Sequence, residues 1–335
     1  MSALLEVRGL TRRFGGGRSI LGTRKPELTA VRGIDFDLHR GDTLGIVGES
    51  GCGKSTLARM LVGLDAPSEG SIALDGRALT QGGARALAKR VQYVFQDPVS
   101  SLNPRHRIDT ILEAPMKYLL GLGKQARKQK LEKLCEAVGL DMRVLERYPH
   151  EFSGGQAQRI GIARALAAEP DIIVLDEPVS ALDVSVQAQV LNLLGTLKRE
   201  RDLTYIFISH DLAVVESVAT RLAVMYFGRV VEEAADRSAF RAPLHPYTDL
   251  LLRSAPVPGQ KRVSAGGDTG ELPDPYRPPD GCAFAERCPR ATAECRAHDP
   301  ELNVKGRRPE HRAACLYPLD LPDRSPLNPS PRRDR

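Results

Sequence analysis

The sequence predicts an α/β fold, a largely parallel β-sheet flanked by helices. Three observations carry the prediction. The apolar run "LGIV" at 44–47 leads into the glycine-rich string "GESGCGKS", and helical spacing follows in "STLARMLVGL". A second apolar run, "IIVL", ends on the acids Asp176 and Glu177. Beyond residue 170, runs such as "TYIFIS" alternate with amphipathic stretches such as "VSVQAQVLNLLGTLKRE", the order of strands joined by crossover helices.

Along the chain, residues 4–95 read as short strands and turns that include the first strand–loop–helix unit. The basic, turn-rich "GGGRSILGTRKPEL" at 15–28 reads as an inserted loop. From about 97 to 167, stretches such as "RHRIDTILEAPMKYLLGL" and "ARKQKLEKLCEAVGL" predict a helical subdomain, with Cys135 as a buried thiol on one helix. Strands and helices alternate again from 170 to 235. The boundaries expected are a first, α/β domain over 1–240, a C-terminal extension over 241–318, and a disordered tail over 319–335.

Composition narrows the class. The 335 residues are 41% hydrophobic, enough for a real core, and carry a net charge of +6. The pI near 9.0 suits an anionic partner without selecting one. No apolar run approaches the roughly 20 residues of a membrane span. "MSALLEVRGL" lacks the basic start and long apolar core of a secretory signal. A cytosolic chain is expected, where thiols stay reduced and disulfides explain six cysteines poorly.

The string from Gly48 to Ser55 fits G-x-x-x-x-G-K-S, a phosphate-binding loop. Glycines let successive backbone N–H groups converge on an anion, and the helix that follows adds its positive end. Lys54 would reach the β- and γ-phosphates, and Ser55 would hold Mg²⁺. Asp176, at the end of a buried strand, suits that metal through a water. Glu177 beside it suits a general base for the attacking water. A second glycine-rich helix start, Ser153-Gly154-Gly155, makes sense if it closes on a different nucleotide.

Together these strings resemble the ATP-binding subunit of an ABC transporter. "GESGCGKST" resembles the Walker A motif, contributing Gly48, Ser50, Gly51, Gly53, Lys54, Ser55 and Thr56. "VFQDP" supplies the Q-loop glutamine, Gln96. "FSGGQ" resembles the signature motif, with Phe152 where leucine is commoner. "IIVLDE" resembles Walker B, "SALD" the D-loop, and "ISHD" places the switch histidine at His210. Phe14 falls where the family stacks an aromatic ring on adenine. The resemblance implies a P-loop ABC ATPase domain with a mixed β-sheet core, a helical subdomain and a small cysteine-containing extension. It implies that two such subunits pair head to tail around ATP, with Ser153, Gly155 and Gln156 completing the partner's site. Gln96 would contact Mg²⁺ and water, and His210 the γ-phosphate.

"FQDPVSSLNPR", "HPYTDLLLRSAPVP" and "GELPDPYRPPDGCAFAERCP" resemble segments of the ATPases of oligopeptide and dipeptide importers. That branch implies a second ATPase, a paralogue, as partner, and two membrane permease subunits. An extracytoplasmic substrate-binding protein acts indirectly, nucleic acid is not expected, and the chain sits peripherally on the cytoplasmic face of the inner membrane. Its relatives also move nickel, glutathione or sugars. The reading from a different class is a soluble ABC ATPase acting on nucleic acid or ribosomes. Those usually carry two cassettes or a long coiled coil, and neither is visible.

The extension holds Cys282, Cys288, Cys295 and Cys315, spaced C-x5-C-x6-C-x19-C. Four thiolates in a reducing compartment suggest a metal site. The spacing lacks the close pairs of structural zinc and suits an iron–sulfur cluster better, with zinc as the alternative. The resembling family's extension, associated with a four-iron cluster, implies the same. His311 reads as a surface histidine among Arg307, Arg308 and Arg312, or as a substitute ligand. With little apolar periodicity between 259 and 318, the extension is expected to fold around metal rather than around a core of its own.

Overall fold

A strand buried on both faces shows as a nearly continuous apolar run, because its alternating side chains enter two different cores. The computed structural model, which describes residues 2–16, 26–78, 83–254, 272–304 and 310–321, is built on such strands. In chain order, β1 (Leu5–Gly15) and β2 (Glu27–Leu38) form an antiparallel pair. β3 (Thr43–Val47) then leads through a loop to α1 (Lys54–Leu61). β4 (Glu69–Leu74) and β5 (Arg77–Ala78) join the first sheet, in the order β2-β1-β4-β5. Next come α2 (Ala84–Arg90), β6 (Val91–Val94), α3 (Ile108–Tyr118), α4 (Lys124–Val138) and α5 (Gly154–Leu166). β7 (Ile172–Asp176), α6 (Val184–Arg201), β8 (Thr204–Ser209), α7 (Leu212–Val218), β9 (Arg221–Tyr226) and β10 (Arg229–Ala234) follow. The extension supplies α8 (Ser238–Arg241), α9 (Pro246–Ser254), α10 (Ala293–Ala297), β11 (Asn303–Val304) and β12 (His311–Ala313).

The main sheet runs β11-β12-β10-β9-β3-β8-β7-β6 among the described residues. β9, β3, β8, β7 and β6 are parallel, whereas β10, β12 and β11 add antiparallel at one side. The core is therefore mixed, and its parallel strands present their carboxyl ends together. Alternation divides the interior in two. Ile46, Ile172, Val174, Ile206, Ile208 and Met225 face α1 and the β1–β2 sheet. Val47, Ile173, Leu175, Tyr205, Phe207 and Val224 face the opposite core, shared with α3, α4, α5 and α6. Cys135 is buried there, as expected.

Two expectations change. β1 and β2 are long, and they extend to Gly15 and from Glu27. Of the predicted inserted loop at 15–28, Gly15, Glu27 and Leu28 are therefore strand, while residues 17–25 lie outside the described residues. The extension also does not rely on a core of its own. Phe284 is buried in the main core between Tyr226 and Tyr247, with ring centroids 5.4 Å from each. β12 adds to β10, pairing Glu232 with Ala313 and Ala234 with His311. A segment poor in apolar periodicity is folded here by borrowing its neighbour's core and sheet edge. Of the predicted tail, residues 322–335 lie outside the described residues.

Candidate functional site

Ligands of open α/β sheets bind beyond the carboxyl ends of the strands, and the parallel strands here deliver the sequence-predicted residues to that end. β3 ends at Val47 and releases the loop Gly48–Gly53, after which Lys54 opens α1. Gly53 is held at φ 105°, and a Cβ there would lie 2.3 Å from the Ala30 carbonyl oxygen. Only glycine meets both demands. Gly53→Ala is accordingly expected to displace the loop and cost about 1–3 kcal/mol. Thermal unfolding checks this, and an unchanged melting temperature would contradict it.

Lys54 is buried, and its ammonium donates to the carbonyl oxygens of Gly48 (2.7 Å) and Glu49 (2.8 Å). The loop thus holds its lysine with its own backbone. Cys52, inside the loop, is also buried, and burial raises its thiol, so it stays protonated and small.

β7 delivers Asp176 and Glu177 to very different surroundings. Asp176 is buried, its carboxyl is raised chiefly by desolvation, and its Oδ2 accepts a 2.6 Å hydrogen bond from Tyr93. Its Oδ1 is buried without a hydrogen-bond partner, while the Ser55 hydroxyl pulls the same carboxyl downward. A buried orphan acceptor beside a hydroxyl is a donor set that suits a hydrated divalent cation. Glu177 sits at φ 47°, a left-handed conformation that glutamate rarely adopts, with its N–H donating to the Ile208 carbonyl at 2.9 Å. The turn swings its carboxylate between two other predicted residues. Gln96 Nε2 donates to it at 2.9 Å, and His210 Nδ1 lies 3.1 Å away. The structure therefore brings together Gln96, Glu177 and His210, from the ends of β6, β7 and β8.

The signature stretch stands apart as a helix start. Ser153 caps α5 in a reciprocal capping box with Gln156. Gly155 runs close under α6, where a Cβ would lie 2.6 Å from Val186 Cγ1. Ser153, Gly154 and Gln156 are exposed. Phe14 is partly exposed on β1, with the Arg12 guanidinium 4.7 Å from its ring centre. Ser50 and Gly51 lie in the loop, and Thr56 lies on the first turn of α1.

The cysteine expectation is corrected. Cys282, Cys288, Cys295 and Cys315 do line one cavity, with His245 and Phe284. Yet among the described residues no group of three or more His, Cys, Asp or Glu is placed to hold a metal ion. The cavity is only about 20 Å³, room for about one water. Burial raises the thiols of Cys282 and Cys288, and that of Cys315 to about 11. Neither the iron–sulfur cluster nor the zinc alternative is supported. His311 is likewise not on the surface: it is buried, with Nε2 2.7 Å from Glu232.

Sequence reasoning missed Tyr93, whose hydroxyl fixes Asp176, and the contacts of Glu49. The Glu49 N–H donates to Tyr247 Oη at 2.9 Å, and its carboxylate pairs with Arg287. Among the described residues, no helix is long and apolar enough to cross a membrane.

Comparisons with known proteins agree with this geometry. Residues 31–180 match the family model described as ABC transporter, and residues 231–295 match the oligopeptide/dipeptide transporter C-terminal region. The oligopeptide transport ATP-binding protein AppF of Bacillus subtilis is 45% identical over 323 residues, covering 94% of this chain and 97% of the relative. The oligopeptide transport ATP-binding protein OppF of Escherichia coli is 47% identical over 296 residues, covering 86% of this chain and 88% of the relative. Among solved structures, the dimeric ATP-binding cassette MJ0796, in a post-hydrolysis state bound to ADP and Pi, superposes with a TM-score of 0.61 at 26% identity. The match covers 68% of this chain and 97% of that one.

Proposed function

Because the chain belongs to the ATP-binding subunits of ABC transporters, within the branch related to peptide transporters, we propose that it hydrolyses ATP to drive the import of di- or oligopeptides. It does so with membrane permease subunits and a second ATPase, a paralogue. The observation that carries the reading is the convergence of Gln96 and His210 on Glu177 beside a phosphate-binding loop.

In this reading Lys54 and the backbone N–H groups from Ser50 to Thr56 bind the phosphates of ATP, while Phe14 stacks on the base. Ser55 and Gln96 would hold Mg²⁺, with Asp176 supporting it, and the ion supplies positive charge to the β- and γ-phosphates. Glu177 takes the proton of the attacking water, and Gln96 orients the carboxylate. His210 contacts the γ-phosphate and fixes the direction of attack. Phosphoryl transfer needs positioning and charge more than covalent help, which suits a site of this composition. The exposed Ser153 and Gln156, with Gly155 between them, would close on ATP held by the partner. The dimeric state of the MJ0796 cassette supports that pairing. The same reading divides the chain into an ATPase part over 1–240, with a helical subdomain near 97–167, and an extension over 241–318. It places the chain against the inner face of the membrane through its permeases, with a substrate-binding protein delivering cargo on the other side.

Lys54→Ala is expected to lower ATP hydrolysis by at least about 100-fold and to abolish uptake of labelled peptide by cells carrying the transporter. Phosphate release and uptake are measured together. Hydrolysis that survives would overturn the site assignment. Hydrolysis lost while peptide uptake continues would overturn the role in import.

A further inference from the structure

The extension reaches into the phosphate loop. Arg287, between Cys282 and Cys288, holds the Glu49 carboxylate with two parallel bonds, Nη1 to Oε2 at 2.7 Å and Nη2 to Oε1 at 2.8 Å. The arginine side chain is 7% exposed, and it lies beside the rings of Tyr226 and Phe284. Tyr247, on α9, accepts the Glu49 N–H at 2.9 Å, and its own ring packs on Phe284. Glu49 follows directly on Gly48, and its carbonyl oxygen is one of the two that hold Lys54. One residue of the loop is thus gripped at both its side chain and its backbone by the region after β10.

An acid in this position is chemically awkward. A free carboxylate next to the loop repels the phosphates it should receive and competes for Lys54. A bidentate guanidinium removes the charge and fixes the direction of the side chain. Tyr247 fixes the backbone on the other side. We propose that Arg287 is a positioning residue for the ATP site, acting through Glu49, so that the docked extension sets the loop's affinity for ATP. This rests on the reading of the loop as an ATP site.

The test is steady-state ATP hydrolysis by the full-length chain, with thermal unfolding measured in parallel. Arg287→Met keeps the stem against the aromatic rings and removes the fork. It is expected to raise the KM for ATP by roughly tenfold with kcat within about twofold, the pattern of lost uniform binding. Arg287→Lys keeps a charge without the fork and should fall between. Glu49→Gln combined with Arg287→Met removes the stranded charge, and should bring KM back to within about threefold of the original. A merely structural role for Arg287 predicts no such rescue.

An unchanged KM in Arg287→Met overturns the proposal, as does a double variant as impaired as the single one. Lys54→Ala separates the two readings. If it leaves hydrolysis intact, the ATP-site reading falls and takes this one with it. If it abolishes hydrolysis while Arg287→Met is unaffected, only the role of Arg287 falls.

Discussion

Glu177→Gln is expected to slow ATP hydrolysis by about 10²–10⁴-fold while ATP still binds, the range for removing a general base. The substitution is nearly isosteric, so the left-handed turn at φ 47° and the N–H bond to Ile208 are retained. What disappears is the acceptor that stands between Gln96 and His210. Its neighbour Asp176 cannot take over. That carboxylate is buried and already accepts the Tyr93 hydroxyl, and no rotation of a side chain at the end of β7 exchanges the two positions. Single-turnover phosphate release and equilibrium nucleotide binding measure the two halves of the expectation. A loss below tenfold would remove Glu177 as the base. A parallel loss of binding would mean that its charge holds the nucleotide rather than the water.

Residues such as Glu177 and Lys54 are legible from sequence because their chemistry is written contiguously. Asp176 and Glu177 close an apolar run, whereas Gln96 and His210 are legible only through the family resemblance, and the parallel strands send all those ends to one side. Contacts made across long separations have no such local trace. Arg287 and Glu49 are 238 residues apart. His311 and Glu232 are 79 apart. His311 reads as a surface residue because arginines surround it in the sequence, yet alternation along β12 buries His311 and Ala313 and turns Arg312 outward. A three-residue strand is too short for that alternation to be noticed beforehand. The cysteines misled for a related reason. Their spacing invites a ligand set, but the aromatic residue among them, Phe284, is what docks the segment. In sequence a lone Phe beside three cysteines looks incidental. In the fold it completes a cluster with Tyr226 and Tyr247, and the cysteines line a narrow cavity beside it.

Glu232→Ala should produce the largest loss of stability in the chain, about 3–5 kcal/mol. Glu232 is fully buried on β10 and gathers three donors from two later segments. Its Oε1 accepts from the Leu244 N–H at 2.8 Å and from His311 Nε2 at 2.7 Å, and its Oε2 accepts from the His245 N–H at 2.8 Å. His311 Nδ1, 3.3 Å from Ser238 Oγ, is then left to accept from that hydroxyl. Truncation strands two backbone donors and an imidazole in a dry interior, which costs more than the bonds themselves contributed. Glu232→Gln should be milder, since its oxygen can still accept from the Leu244 N–H and His311 while its amide faces only the His245 N–H. The knot also gives stability a pH dependence of definite sign. Burial lowers the pKa of His245 to about 4, below its unfolded value near 6.5. The unfolded chain therefore binds the extra proton first, and stability falls as pH drops from about 6.5 to about 4. Chemical denaturation at pH 7 and pH 5 measures both effects. A Glu232→Ala variant within 1 kcal/mol of the parent at pH 7 would show that the extension is held elsewhere. If the variant instead loses stability and the ATP affinity of its folded fraction falls as well, the same buried carboxylate supports the route from β12 through Tyr247 to the phosphate loop.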